Sequence, residues 1–228
     1  ADATHLSEFH HIEYEGKNDQ RENEKIALGL VGKIVRDLLN RNEEDISMFL
    51  NKNKLNELSN FSSKITRIPR ITFKEAQEKL YIETKNEKYK NFTLKNFGAW
   101  EEIKLSELYG TMIAIKEFPL LEVPFYHAFV DGKKPFVADN TDFIWPGYRE
   151  FIGSGHRVQS KKELSKKAKI FNLPLKDYEP YLQTREFLDY KETSGFGLGW
   201  ERMLQGILEM PFIWNVCQFP RIDKTLKP

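Results

Sequence analysis

Residues 194–202 read SGFGLGWER, in which glycines alternate with large apolar residues and run straight into a Glu-Arg pair. Such a stretch folds as a glycine-weakened strand that turns into a helix. The glycines permit close approach of backbone to a ligand. A helix N-terminus with open amides favours anions, and Arg202 adds a charge-assisted donor fork. Chemically the stretch reads as a phosphate site. The plainer reading, a surface arginine after a packed strand, stays open from these residues alone. The pattern fits neither the Walker loop nor the dinucleotide-binding fingerprint.

The rest of the chain limits what surrounds this strand. It has 228 residues, 40% of them hydrophobic and 30% charged, enough for one large domain or two small ones with a real core. Seventeen Phe, nine Tyr and four Trp exclude a disordered chain. A net charge of +1 supplies no global attraction to nucleic acid or membrane, so any nucleic-acid contact must come from a local patch and DNA is not expected. The one cysteine, Cys217, excludes an internal disulfide framework and suits a cytoplasmic protein. No segment has the length of a membrane span or the layout of a signal peptide. The chain begins abruptly, which suggests a start in the middle of a structural unit.

Periodicity places the elements. HLSEFHHIEYEG (5–16) reads as a strand closed by glycine. In ENEKIALGLVGKIVRDLLN, Ile26, Leu30, Ile34 and Leu38 recur at helical spacing beside Ala27, Val31, Val35 and Leu39. Residues 41–66 read as exposed helix and loop. IPRITFKEAQEKL pairs a short strand with a helix capped by a Thr72/Glu75 box. YIETKNEKYKNFTLKNF reads as a solvated connection. Several short β-like runs follow over 107–158, with DGKK at 131–134 as a hairpin turn. The segment 161–190 reads as helix interrupted at Pro174 and Pro180, and WERMLQGILEM as a last helix. Strands in succession with helices between groups of them predict an α+β domain around a mostly antiparallel sheet.

Further residues have chemistry to offer. Asp142 and Glu150 flank DFIWPGYRE; a strand bulged near Pro146-Gly147 brings both carboxylates to one face, where such a pair can hold magnesium against polyphosphate. Two surface acids around a turn is the plainer alternative. Arg157, after IGSGH, can clamp a carboxylate bidentately or form a salt bridge. Phe9 can stack on a base or sit in the core. His10 and His11 are adjacent and point to opposite faces of a strand, so they make no zinc site.

The order of these pieces resembles one family. SGFGLGWERMLQGILEMPFIWNVCQFPR resembles motif 3 of the class II aminoacyl-tRNA synthetases, and its closing FPR resembles the aspartyl and asparaginyl branch. HLSEFHHIEYE resembles the second strand of motif 2, and IPRITFKEAQEKL, PFYHAF and DFIWPGYREFIGSGHR fall between in the expected order. The resemblance implies a catalytic domain over 1–228 that activates aspartate or asparagine with ATP and magnesium. Arg202 would bind the γ-phosphate, and Glu150 and Asp142 the magnesium. Phe9 would stack on adenine, Glu8 would help line the adenine pocket, and His5 would approach the phosphates. Arg157 would hold the side-chain end of the amino acid, with Gly195, Gly197 and Gly199 as the floor. The carboxylate attacks the α-phosphorus, which needs positioning and charge neutralisation and no protein nucleophile.

Several features depart from the family. Motif 1, the first strand of motif 2 with its α-phosphate arginine, and an anticodon-binding barrel are missing from this sequence. Trp214, Asn215, Val123 and Arg149 stand where the family often shows Arg, Asp, a basic residue, and Gly or Glu. Three readings therefore remain: a synthetase core that passes its adenylate to tRNA and forms a homodimer, a related asparagine synthetase that uses ammonia, and an inactive paralogue that binds nucleotide or a partner. The FPRIDKTLKP tail looks aspartyl while GFGLG and TREF look asparaginyl, so the amino acid stays open.

Overall fold

The computed structural model describes residues 4–133 and 135–222. A six-stranded sheet runs in the order β1-β6-β5-β4-β3-β2. Its strands are β1 (His11–Gly16), β2 (Arg70–Thr72), β3 (Ile113–Lys116), β4 (Asn140–Ile144), β5 (Glu150–His156) and β6 (Ser194–Gly199). Every pairing is antiparallel except β2 with β3, so the sheet is mixed and mostly antiparallel.

The helices are α1 (Gln20–Arg41), α2 (Glu43–Ser47), α3 (Lys52–Lys64), α4 (Phe73–Thr84), α5 (Ala99–Tyr109), α6 (Lys161–Ile170), α7 (Leu175–Gln183) and α8 (Trp200–Ile207). The apolar stripe of α1 buries Ala27, Leu28, Val31 and Val35 in one core with Phe143 of β4, Ile152 of β5, Phe196 and Leu198 of β6, and Met203 and Ile207 of α8. Phe73, Ala76 and Leu80 of α4 and Leu105 of α5 form a second core on Ile113 and Ile115 of β3. The Thr72/Glu75 capping box is present at the start of α4, as the sequence predicts. Phe125, Val158, Leu164, Ala168 and Leu182 make a third cluster under α6 and α7. Among the described residues no helix is long and apolar enough to cross a membrane.

Alternation along the strands gives the sheet two unlike faces. Tyr14, Phe196, Leu198 and Ile152 pack toward α1. The opposite positions on β5 and β6 are glycines, paired Gly153 with Gly197 and Gly155 with Gly195. Helices α4 and α5 cover this second face only at the β3 end.

Several expectations change. Only His11–Gly16 of the 5–16 segment is strand. Residues before it bond elsewhere: Ser7 N–H to the Arg221 carbonyl at 2.7 Å and His10 N–H to Glu201, which turn the chain out of the strand. The connection over 81–97 is less solvated than its charge suggests, because Tyr89 is buried and donates to Glu101. Helix α7 runs through Pro180 instead of breaking there. Gly132, at φ 76, does turn the chain at Asp131–Lys133, but single bridges flank it in place of hairpin strands. Lys134 of that turn and the end of the tail, residues 223–228, lie outside the described residues.

Candidate active site

The bare face of β5 and β6 floors a cavity of about 970 Å³. His5, Phe9, Asp142, Glu150, Arg157, Gly197, Gly199 and Arg202 all line it. Residues separated by up to 197 positions in the chain thus come together. Glu8 does not line the cavity, and its carboxylate lies 3.6 Å from Arg221. Gly195 is also off the wall, because Glu15 and Arg157 cover it.

Three tiers rise from the glycine floor. In the first, a Cβ on Gly195 would collide with the Glu15 carboxylate and come within 2.8 Å of Arg157 Nη2. Arg157 donates to Glu15 from Nη2 at 2.9 Å and from Nε at 3.2 Å, and its guanidinium lies 4.9 Å over the Tyr126 ring. Its fork is therefore occupied by an internal carboxylate, not left open to clamp a ligand's carboxylate alone. In the second tier, Glu150 Oε1 would lie 2.7 Å and Asp142 Oδ1 3.8 Å from a Cβ on Gly153. In the third, the Arg202 side chain passes 3.8 Å from the open side of Gly199, and its Nη1 donates to the Glu150 carbonyl at 2.7 Å.

The route to the carboxylate pair differs from the expected bulged strand. Trp145–Arg149 form a turn joining two strands, with the Trp145 N–H bonded to the Arg149 carbonyl at 3.2 Å. The bulge lies in β5 itself: consecutive residues Phe143 and Ile144 of β4 face Ile152 and Glu150, which leaves Phe151 as the extra residue. Glu150 is an odd number of residues from Gly153, and strict alternation would turn it to the back face. The extra residue restores it to the cavity side.

Burial raises the Asp142 carboxyl well above its usual range, and repulsion from Glu150 and Glu102 adds to the shift. Burial likewise raises Glu150, with Glu102 next, while Arg202 and Arg149 oppose. Two crowded carboxylates of hard oxygen donors suit magnesium, which would relieve their repulsion. Among the described residues no set of three His, Cys, Asp or Glu is placed to hold a metal, so the remaining coordination falls to water and ligand oxygens.

Other contacts were not legible from the sequence. Glu201 is buried and accepts from the His10 N–H at 3.0 Å and its Nδ1 at 2.7 Å, a bond that raises the His10 pKa. It thereby ties the 4–10 segment to the start of α8. Arg149, one of the departures from the family pattern, bonds Glu102 at 3.2 Å and approaches His5 Nε2 to 2.8 Å. Phe9 tilts against His11 with ring centres 4.8 Å apart and stays exposed at the cavity mouth. Trp214 stacks on Phe212 at 4.7 Å, and Val123 is buried in the second core. The bonds of Glu201 to His10 and of Arg149 to Glu102 and His5 join distant segments with no local signature.

Comparison with known proteins follows the same lines. The family described as tRNA synthetases class II (D, K and N) matches residues 1–223. An asparagine–tRNA ligase of Pelotomaculum thermopropionicum is 29% identical over 226 residues, 98% of this chain and 50% of that protein. One from Herpetosiphon aurantiacus is 30% identical over 228 residues, 95% of this chain and 49% of that protein. The crystal structure of asparaginyl-tRNA synthetase from Pyrococcus horikoshii complexed with asparaginyl-adenylate superposes with a TM-score of 0.87 at 28% identity, covering 100% of this chain and 50% of that one. The chain spans about half the length of the curated relatives it matches. With a matching family profile over 1–223 and the same sheet in solved relatives, the chain belongs to the class II tRNA synthetases of the D, K and N group.

Proposed function

We propose that this chain is an ATP-dependent adenylate-forming core that activates asparagine, with tRNA as the eventual acceptor. The observation that carries this reading is the Glu15–Arg157 couple, one tier along the glycine floor from Asp142 and Glu150. The couple presents guanidinium donors beside carboxylate acceptors and has no net charge. A carboxamide offers the matching carbonyl and NH₂. A side-chain carboxylate would instead face Glu15. The relatives named as asparagine–tRNA ligases, and the relative solved with asparaginyl-adenylate, support the same choice. The ammonia-using and inactive readings draw no such support.

On this reading the amino acid lies over Gly197, its side chain toward the Glu15–Arg157 couple that covers Gly195 and its α-carboxylate toward the second tier. ATP bends toward Arg202, which meets the γ-phosphate, and Phe9 stacks on adenine. Asp142 and Glu150 would hold magnesium, whose charge offsets that of the phosphates. The carboxylate displaces pyrophosphate from the α-phosphorus, and the protein contributes positioning and electrostatic stabilisation. A homodimer is the assembly the family resemblance implies.

Pyrophosphate exchange into ATP, run with asparagine and aspartate in parallel, tests this. Exchange with asparagine and little with aspartate is expected. Exchange with aspartate alone overturns the amino-acid assignment; exchange with neither overturns the activity.

A further inference from the structure

His127 stands in the cavity wall with no role in the reading above. It lies in the long connection between β3 and β4 and forms an isolated antiparallel bridge with Arg157. Its imidazole occupies the space above Gly155, where a Cβ would collide with Nδ1 and Cε1 of the ring. Gly155 is the register partner of Gly195, over which the Glu15–Arg157 couple sits. The imidazole and the couple thus fill two neighbouring vacancies on adjacent strands, about 4.8 Å apart. Tyr126 flanks both, with its ring 5.1 Å from His127 and 4.9 Å from the guanidinium.

The ring is held there firmly. His127 is 7% exposed, and its backbone N–H bonds the Pro124 carbonyl at 3.1 Å. The buried amine of Lys167 on α6 donates to its carbonyl. Nδ1 is buried with no hydrogen-bond partner. Burial, with Arg157 and Lys167 nearby, holds the ring neutral with a pKa of about 3, so it adds no charge beside the couple.

We propose that His127 is the end wall of the amino-acid side-chain subsite and sets the length of the side chain accepted there. This rests on the asparagine-activating reading above. The wall stands beside the groups that would grip a carboxamide, so a side chain one methylene longer, as in glutamine, would drive its amide into the imidazole.

The test is calorimetric binding of two non-hydrolysable adenylate analogues, the asparaginyl and glutaminyl sulfamoyl adenosines, to the intact chain. Wild type is expected to prefer the asparaginyl analogue. His127→Ala should reduce that preference by roughly 10- to 200-fold, the range that one methylene decides in a pocket. His127→Leu keeps the bulk without the nitrogens and should retain most of the preference. Gly155→Ala should push the ring into the subsite and weaken the asparaginyl analogue. If wild type prefers the asparaginyl analogue and folded His127→Ala keeps that preference, the wall is wrong and the function stands. If His127→Leu loses the preference as fully as His127→Ala, bulk is not what discriminates and the wall is equally wrong. If wild type binds neither analogue, the reading of the site fails and the wall fails with it.

Discussion

Arg202 reaches over Gly199 and is braced by the Glu150 carbonyl, so its position depends on α8 and β5 together. Arg202→Ala should cut pyrophosphate exchange by about 10²- to 10³-fold, the usual cost of one pre-aligned donor to a developing anion. The melting temperature should hardly move. An unchanged ATP affinity in that variant would remove the phosphate assignment. Glu15→Gln makes a different demand on the same floor. It leaves Arg157 uncompensated and should move preference from asparagine toward aspartate by about tenfold, the scale of one hydrogen bond to a charged group. Equal loss of both amino acids would mean that Glu15 only positions Arg157. Neither Glu15 nor His127 is marked by its neighbours in sequence. Each acquires its role from a glycine far along the chain, Gly195 and Gly155 respectively, and only strand pairing reveals the match.

Strand β6 shows what an element adds. Its glycines are not equivalent, although the sequence presents them alike. At Gly195 an added methyl meets the Glu15 carboxylate and the Tyr14 carbonyl, whereas at Gly197 the nearest atom is His11 Nδ1 at 3.8 Å. Gly195→Ala should therefore destabilise the fold by about 1–3 kcal/mol. Gly197→Ala should leave the melting temperature nearly unchanged and yet abolish binding of an adenylate analogue. Thermal melts with and without analogue separate the two, and a Gly197→Ala protein that still binds would place the ligand elsewhere. Local rules made other elements legible. The stripe of α1 and the Thr72 cap of α4 are set by neighbours three and four residues away. Periodicity could not give the facing of Glu150, which depends on Phe151 being left unpaired where β5 meets β4. Nor could it show that the chain before His11 leaves the sheet, because Glu201 and Arg221 draw it away.

At the scale of the whole molecule the carboxylate pair sets stability against function. The folded pKa values of Asp142 and Glu150 lie above their ordinary 3.8 and 4.5, so between the ordinary and raised values the folded state binds more protons than the unfolded. Their contribution is therefore greatest below the ordinary values and is lost as pH rises through the raised ones. Magnesium should raise the melting temperature more at pH 8 than at pH 5, and Asp142→Asn should erase that difference while stabilising the metal-free protein by about 1 kcal/mol. A magnesium effect independent of pH would show that the ion binds elsewhere.

The glycine floor has one more consequence. A sheet ordinarily gains from side-chain contacts across its strands on both faces, but β5 and β6 do so mainly on the side toward α1. A bound adenylate lying on the bare side would act as a detachable layer of the interior. On that view the empty enzyme is a sandwich with one slice removed. Turnover would then be a cycle of completing and reopening its own core, and amide protons of β5 and β6 would exchange with solvent fastest in the moments between substrates.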